Sequence, residues 1–123
     1  MTRGRPYISG VRFCPWYRLA EAGAHAPAEE GVLQVRVATG LIDYPTGKSA
    51  MVHYAHAPDV RAAAIAWASA HGADGIVCRH LIERDTAATP AALCARLLDD
   101  FARRFGAPPG LPGSQPAGAG DPR

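Results

Sequence analysis

Between Gly31 and Phe105 the spacing of apolar residues keeps changing period, and that succession constrains the fold more than any other feature of the chain. In Gly31–Ala38, Leu33, Val35 and Val37 fall on every second residue while Gln34 and Arg36 point the other way, the pattern of a strand buried on one side. Gly40, Pro45 and Gly47 punctuate a bend over 39–48. Alternation resumes in Ser49–Ala57, where Val52, Tyr54 and His56 oppose Met51, His53 and Ala55. A link this short between two strands predicts an antiparallel pair. Pro58-Asp59 then opens a helix carrying Val60, Ala63, Ala64, Trp67 and His71 at helical spacing, with Gly72 as its stop. Gly75–Glu83 reads as a third strand. Thr89-Pro90 is a capping residue followed by proline at the first helical position. From there Leu93, Cys94, Leu97, Leu98, Phe101 and Phe105 form one stripe down to Gly106. The order β-β-α-β-α is that of an α+β domain. We expect a small three-stranded mixed sheet with two helices packed on it, a hairpin followed by a helical crossover.

These patterns divide the chain into an N-terminal extension over residues 1–30, a domain over 31–106 and a disordered Pro/Gly-rich tail over 107–123. The extension carries Val11, Phe13, Trp16 and Tyr17, apolar side chains able to lie against the body. Its residues 20–28 are suited to a turn or two of helix ended by Pro27. With 48% hydrophobic and 20% charged residues the body is globular, and 123 residues leave no room for two independent domains. No apolar run approaches the roughly 18 residues of a membrane helix, and no leader-like apolar segment follows Met1, so a cytoplasmic protein without membrane attachment is expected. Three widely spaced cysteines, Cys14, Cys78 and Cys94, fit free thiols in a reducing compartment.

Several motifs fail on inspection. Thr46-Gly47-Lys48-Ser49 is like the end of a phosphate-binding loop, but Ile42 occupies the position of its first glycine and a strand follows where a helix is required. Cys78 and His80, with Cys14 as a third ligand, lack the close ligand pairs of structural zinc. Asp99 and Asp100 are neighbours on a helix beside Arg103 and Arg104 and read as a solvated face. No nucleophile constellation is evident among the histidines.

Taken together, the segment from Ala26 to Pro109 resembles the GIY-YIG domain of homing endonucleases and the excision-repair nuclease subunit. The likeness rests on Pro27–Leu33 at the first strand, on Met51–Arg61 at the second strand and first helix, and on Ala92–Leu97 and Phe105–Pro109 at the close of the domain. The resemblance implies a catalytic set of two tyrosines, an arginine on the first helix and a metal-binding glutamate on the later helix. In this chain those positions carry Leu33, His53, Ala63 and Arg96, with Tyr54 one residue and Arg61 two residues out of register. An arginine repels Mg²⁺ where a carboxylate should hold it, and leucine cannot assist phosphoryl transfer.

The leading expectation is therefore a catalytically degenerate GIY-YIG-like domain that binds nucleic acid as an accessory module, without a cofactor. Arg36, Lys48, Arg61 and Arg79 are its candidate phosphate contacts; the alternative for each is an ordinary solvated cation. A protein–protein interaction module is the second reading, using an open sheet face with Tyr54 or His53 and with Trp16 and Tyr17. The third is a divergent metal-dependent endonuclease with His53, Tyr54 and Arg61 as its catalytic candidates and Mg²⁺ as its metal. The partner is accordingly nucleic acid or another protein, and no spacing specifies an oligomeric state.

Overall fold

The computed structural model describes residues 12–83 and 89–111. Its elements in chain order are β1 (Arg12–Phe13), β2 (Tyr17–Arg18), a 3-10 turn (Leu19–Glu21) running into the one-turn helix α1 (Ala22–His25), β3 (Gly31–Val37), β4 (Ile42–Tyr44), β5 (Gly47–Ser49), β6 (Met51–Ala57), α2 (Val60–His71), β7 (Ile76–Glu83) and α3 (Pro90–Phe105). The main sheet is entirely antiparallel: β3 lies between β6 and β7, and β1 and β2 both pair with the outer edge of β7.

Two expectations about the sheet are corrected here. It has five strands rather than three, and it is not mixed. Helix α2 carries the chain from β6 past β3 to the far edge of β3, so the parallel strands β6 and β7 never become neighbours. The reason lies in β3, whose first five residues are all buried. A strand buried on both faces belongs in the centre of a sheet, and its alternation of Leu33 and Val35 with Gln34 records two different coverings rather than core and water. The bend expected over 39–48 contains a separate hairpin, β4 with β5, joined through Pro45 and Thr46.

The helices lie on opposite faces. Leu33 and Val35 pack with Val60, Ala64 and Trp67 of α2, closed off by Leu19, Ala22 and Ala26. Small residues let α2 come close: a Cβ on Gly31 would stand 3.1 Å from Val60 Cγ2. The helix starts at Asp59, whose carboxylate accepts from the Ala62 amide at 2.9 Å. The interposed residues of β3 and β6 face α3, where Tyr54 meets Phe101 edge to face at 5.9 Å. The Thr89 hydroxyl accepts from the Ala92 amide at 3.0 Å, and Gly106 ends α3 at φ 82°, where an added Cβ would lie 3.0 Å from Pro45 Cβ.

Both ends of the described chain are tied down. The arrangement of residues 12–30, which sequence patterns left open, is set by pairing with β7 and by burial of Leu19, Ala22 and Ala26. At the other end, the Tyr44 hydroxyl donates to the Met51 carbonyl at 2.6 Å and accepts from the Gly110 amide at 3.2 Å, while Leu111 rests against the core. Residues 112–123 of the expected tail lie outside the described residues.

Candidate nucleic-acid interface

Alternation along β3 and β7 decides which side chains can meet. Gln34 is paired with Arg79 and Arg36 with Val77, so Gln34, Arg36 and Arg79 emerge on the face opposite α2. Helix α3 covers this face mainly over β6 and β3; nearer β7 the cover is the N-terminal strap from β1 to β2. The strap brings aromatic rings to the arginines. The guanidinium carbon of Arg36 sits 4.1 Å from the centre of the Trp16 ring, and that of Arg79 sits 4.5 Å from the same ring and 4.9 Å from that of Phe13. All four side chains keep part of their surface in water.

Polar bookkeeping at this cluster is incomplete in a specific way. Arg79 Nε donates to Gln34 Oε1 at 2.6 Å, which satisfies an amide only 4% exposed. Arg36 Nε is buried with no hydrogen-bond partner among the described residues. Three other cations find acids, Lys48 with Asp43, Arg18 with Glu21 and Arg103 with both Asp99 and Asp100, whereas the exposed Arg96 and Arg104 have no carboxylate partner among the described residues. Among the described residues no carboxylate is paired with Arg36 or Arg79. Burial, and after it the proximity of Arg36, hold Arg79 below its ordinary value, yet an arginine starts so high that the group stays charged at neutral pH. Two like charges side by side, ring-stacked and with no counter-charge among the described residues, form a place where an anion lowers the energy.

Four cations were expected to contact phosphate, and the fold brings two of them together. Arg36 and Arg79 share this cluster. Lys48 stands in the β4–β5 hairpin, tied to Asp43. Arg61 is on α2, across the sheet, where its Nε donates to the Ala26 carbonyl at 2.8 Å and fixes the loop before β3. From the sequence, Phe13 and Trp16 read as apolar cover for the body, Trp16 also as part of a protein-binding surface, and Gln34 as a strand residue without a functional role. The interleaving of cations and aromatics in Arg12-Phe13-Cys14-Pro15-Trp16-Tyr17-Arg18 was the available signal.

The proposed catalytic group does not assemble. Val35 of β3 opposes His53 but Arg36 opposes Met51, so Val52 is an extra residue in β6. Both Val52 and His53 line a cavity of about 160 Å³ with Trp67, His71 and Leu111. Burial, then His71, lower the His53 value. Tyr54 is on the other face of the sheet against Phe101, where burial raises its value and Arg79 partly offsets the rise. Arg61 is engaged as above. Of the positions that the resemblance matches to a catalytic set, Leu33 is fully buried in the core and Arg96 is an exposed cation on α3. Neither is a donor for a hard divalent ion. Among the described residues no group of three or more His, Cys, Asp or Glu side chains is disposed to hold a metal. Cys14 and His80 do meet, but Cys78 is fully buried and its thiol is pushed up to about 11, chiefly by desolvation.

No helix among the described residues is long and apolar enough to cross a membrane. No protein-family model, no curated protein and no solved structure matches the chain.

Proposed function

We propose that this chain is a nucleic-acid-binding accessory domain that holds single strands on the Arg36–Arg79–Trp16–Phe13 face, on a β-β-α-β-α framework similar in element order to GIY-YIG domains and without their chemistry. The observation that carries the reading is the pair of guanidinium groups stacked on two half-exposed rings, with no carboxylate partner among the described residues. Backbone phosphates supply the missing anion, and every base has a π-face able to stack on an aromatic ring, so this combination favours single strands without reading their sequence. Tyr54 extends the same face toward α3. No phosphoryl-transfer step is assigned, because His53, Tyr54 and Arg61 occupy three different surroundings.

Fluorescence anisotropy of labelled mixed-sequence DNA and RNA single strands against the full chain tests the reading. Binding in the micromolar range at about 50 mM salt is expected to weaken severalfold or more by about 200 mM. The double substitution Arg36→Gln/Arg79→Gln is expected to flatten that dependence. Absence of salt-sensitive binding at micromolar protein rejects the proposal and leaves a protein partner as the reading to pursue.

A further inference from the structure

On the other side of the same strap, Cys14 and His80 make a second constellation that nucleic-acid binding does not use. Cys14 Sγ lies 3.4 Å from His80 Nδ1, and the backbone amide of His80 donates to the same sulfur, also at 3.4 Å. The Cys14 amide donates to the His80 carbonyl at 3.0 Å, so the two residues are locked to each other through the main chain as well. The Tyr17 hydroxyl stands 3.1 Å from the same imidazole nitrogen. A cavity of about 270 Å³ is lined by Cys14 together with Pro15, Trp16, Tyr17, His25 and His80. Cys14 is half-buried at its side, whereas Cys78 and Cys94 are buried.

We propose that Cys14 is a reactive thiol that exchanges with small-molecule disulfides, with His80 as its base. A nucleophilic thiol requires a nearby proton acceptor, a donor to stabilise the sulfur as charge builds, and room for the electrophile. His80 Nδ1, the His80 amide and the cavity supply these in turn. Burial lowers the His80 value, which favours the neutral imidazole, and its Nδ1 is shared between Cys14 Sγ and the Tyr17 hydroxyl. The ionisable groups facing the pair are Tyr17 on β2, His25 on α1, and Cys78 and Arg79 on β7. Arg79 lies within electrostatic reach of Cys14.

In the exchange, the Cys14 thiol proton moves to His80 Nδ1 as Sγ attacks one sulfur of the disulfide. The disulfide S–S bond breaks as the new one forms, and the departing thiolate takes the proton from His80. Cys14 sulfur is oxidised and the released sulfur is reduced, so one small thiol leaves for each mixed disulfide formed. Burial of Cys78 and Cys94 confines the reaction to Cys14.

Oxidised glutathione is the probe, added to the native full chain and followed by intact mass and peptide mapping across a pH series. The expected result is one glutathione adduct on Cys14 and none on Cys78 or Cys94, formed at about pH 7 roughly tenfold faster than at the same cysteine in the urea-unfolded chain. His80→Gln is expected to erase that advantage near neutrality, and the gap between the variant and the unsubstituted chain is expected to close as pH approaches about 9.5, where the thiolate forms unaided. Cys14 reacting no faster folded than unfolded, or His80→Gln slowing the reaction equally at every pH, overturns the proposal. Should His80→Gln fail to fold, the pH–rate profile of the unsubstituted chain decides: an inflection below the ordinary thiol value of about 8.5 supports the assignment, and one at that value overturns it.

Discussion

The two faces of the sheet are made of alternating residues from the same strands, yet they are closed by different chemistry. Toward α2, Leu33, Val35, Ile76 and Cys78 meet Val60, Ala64 and Trp67, a layer of carbon and one thiol. Toward the N-terminal strap, Gln34, Arg36 and Arg79 meet Trp16 and Phe13. A helix of small residues lies flat on a sheet and excludes water, which rewards apolar side chains. A strap of two two-residue strands leaves gaps, and there the long arginine stems and flat rings cover the sheet while their polar ends still reach water. One face holds the fold together, and the other carries two guanidinium charges with no carboxylate partner among the described residues.

The sharpest way to break this comparison is on the α2 face. Leu33→Ala removes a fully buried side chain from the central strand and is expected to cost about 3 kcal/mol in urea unfolding. A loss under about 1 kcal/mol would place the stabilising core elsewhere. On the strap face the sign should reverse. Arg36→Met keeps a stem against Trp16 and deletes the orphaned Nε, so the urea midpoint should hold or rise while single-strand binding weakens about tenfold and the salt slope falls by about 0.7. A fall in stability with unchanged binding would make Arg36 a structural residue and dissolve the distinction.

Smaller tests sharpen it. Thr89→Ala, which removes the cap of α3, should cost about 1 kcal/mol and leave nucleic-acid binding untouched, since α3 covers the face beside the arginines rather than the arginines themselves. The smallest effect is in the acid limb. His53 and His80, both on or beside the α2 face, have values lowered by burial, so the unfolded chain takes up protons first as pH falls. Stability is therefore complete above the ordinary histidine value of about 6.5 and declines as pH drops through the lowered values. His53→Gln should shallow that decline in pH-dependent thermal melts, and an unchanged slope would show that His53 does not contribute to it.

Much of the element order was legible because it follows from period alone. The extent of α2, its stop at Gly72, and α3 from the Thr89 cap to Gly106 stand where capping chemistry and spacing put them. Sheet order was not legible, because adjacency depends on which strand is covered twice. Gln34 and Arg36 look like water-facing residues in β3 until β7, α3 and the strap are placed around them. The same holds for the site. Arg36 and Arg79 were nameable as candidates, but nothing in their spacing distinguishes them from Lys48 and Arg61, which the fold ties to Asp43 and to the Ala26 carbonyl. His53 and Tyr54 could be assigned to opposite faces from adjacency on a strand, and so they are. That Val52 turns with His53 into the cavity beside Trp67 depends on a bulge that alternation does not announce.

What the sequence by itself determined is local: where backbone is extended, where it coils, and where capping and glycine residues end each piece, since these are energies of neighbouring residues. What only the tertiary structure decided is which distant residues share a boundary with water. Cys14 and His80 are 66 residues apart, and Arg36 and Trp16 meet only because the strap pairs with β7. Such meetings are fixed by the area that all the elements bury jointly, a quantity no single segment of the chain contains.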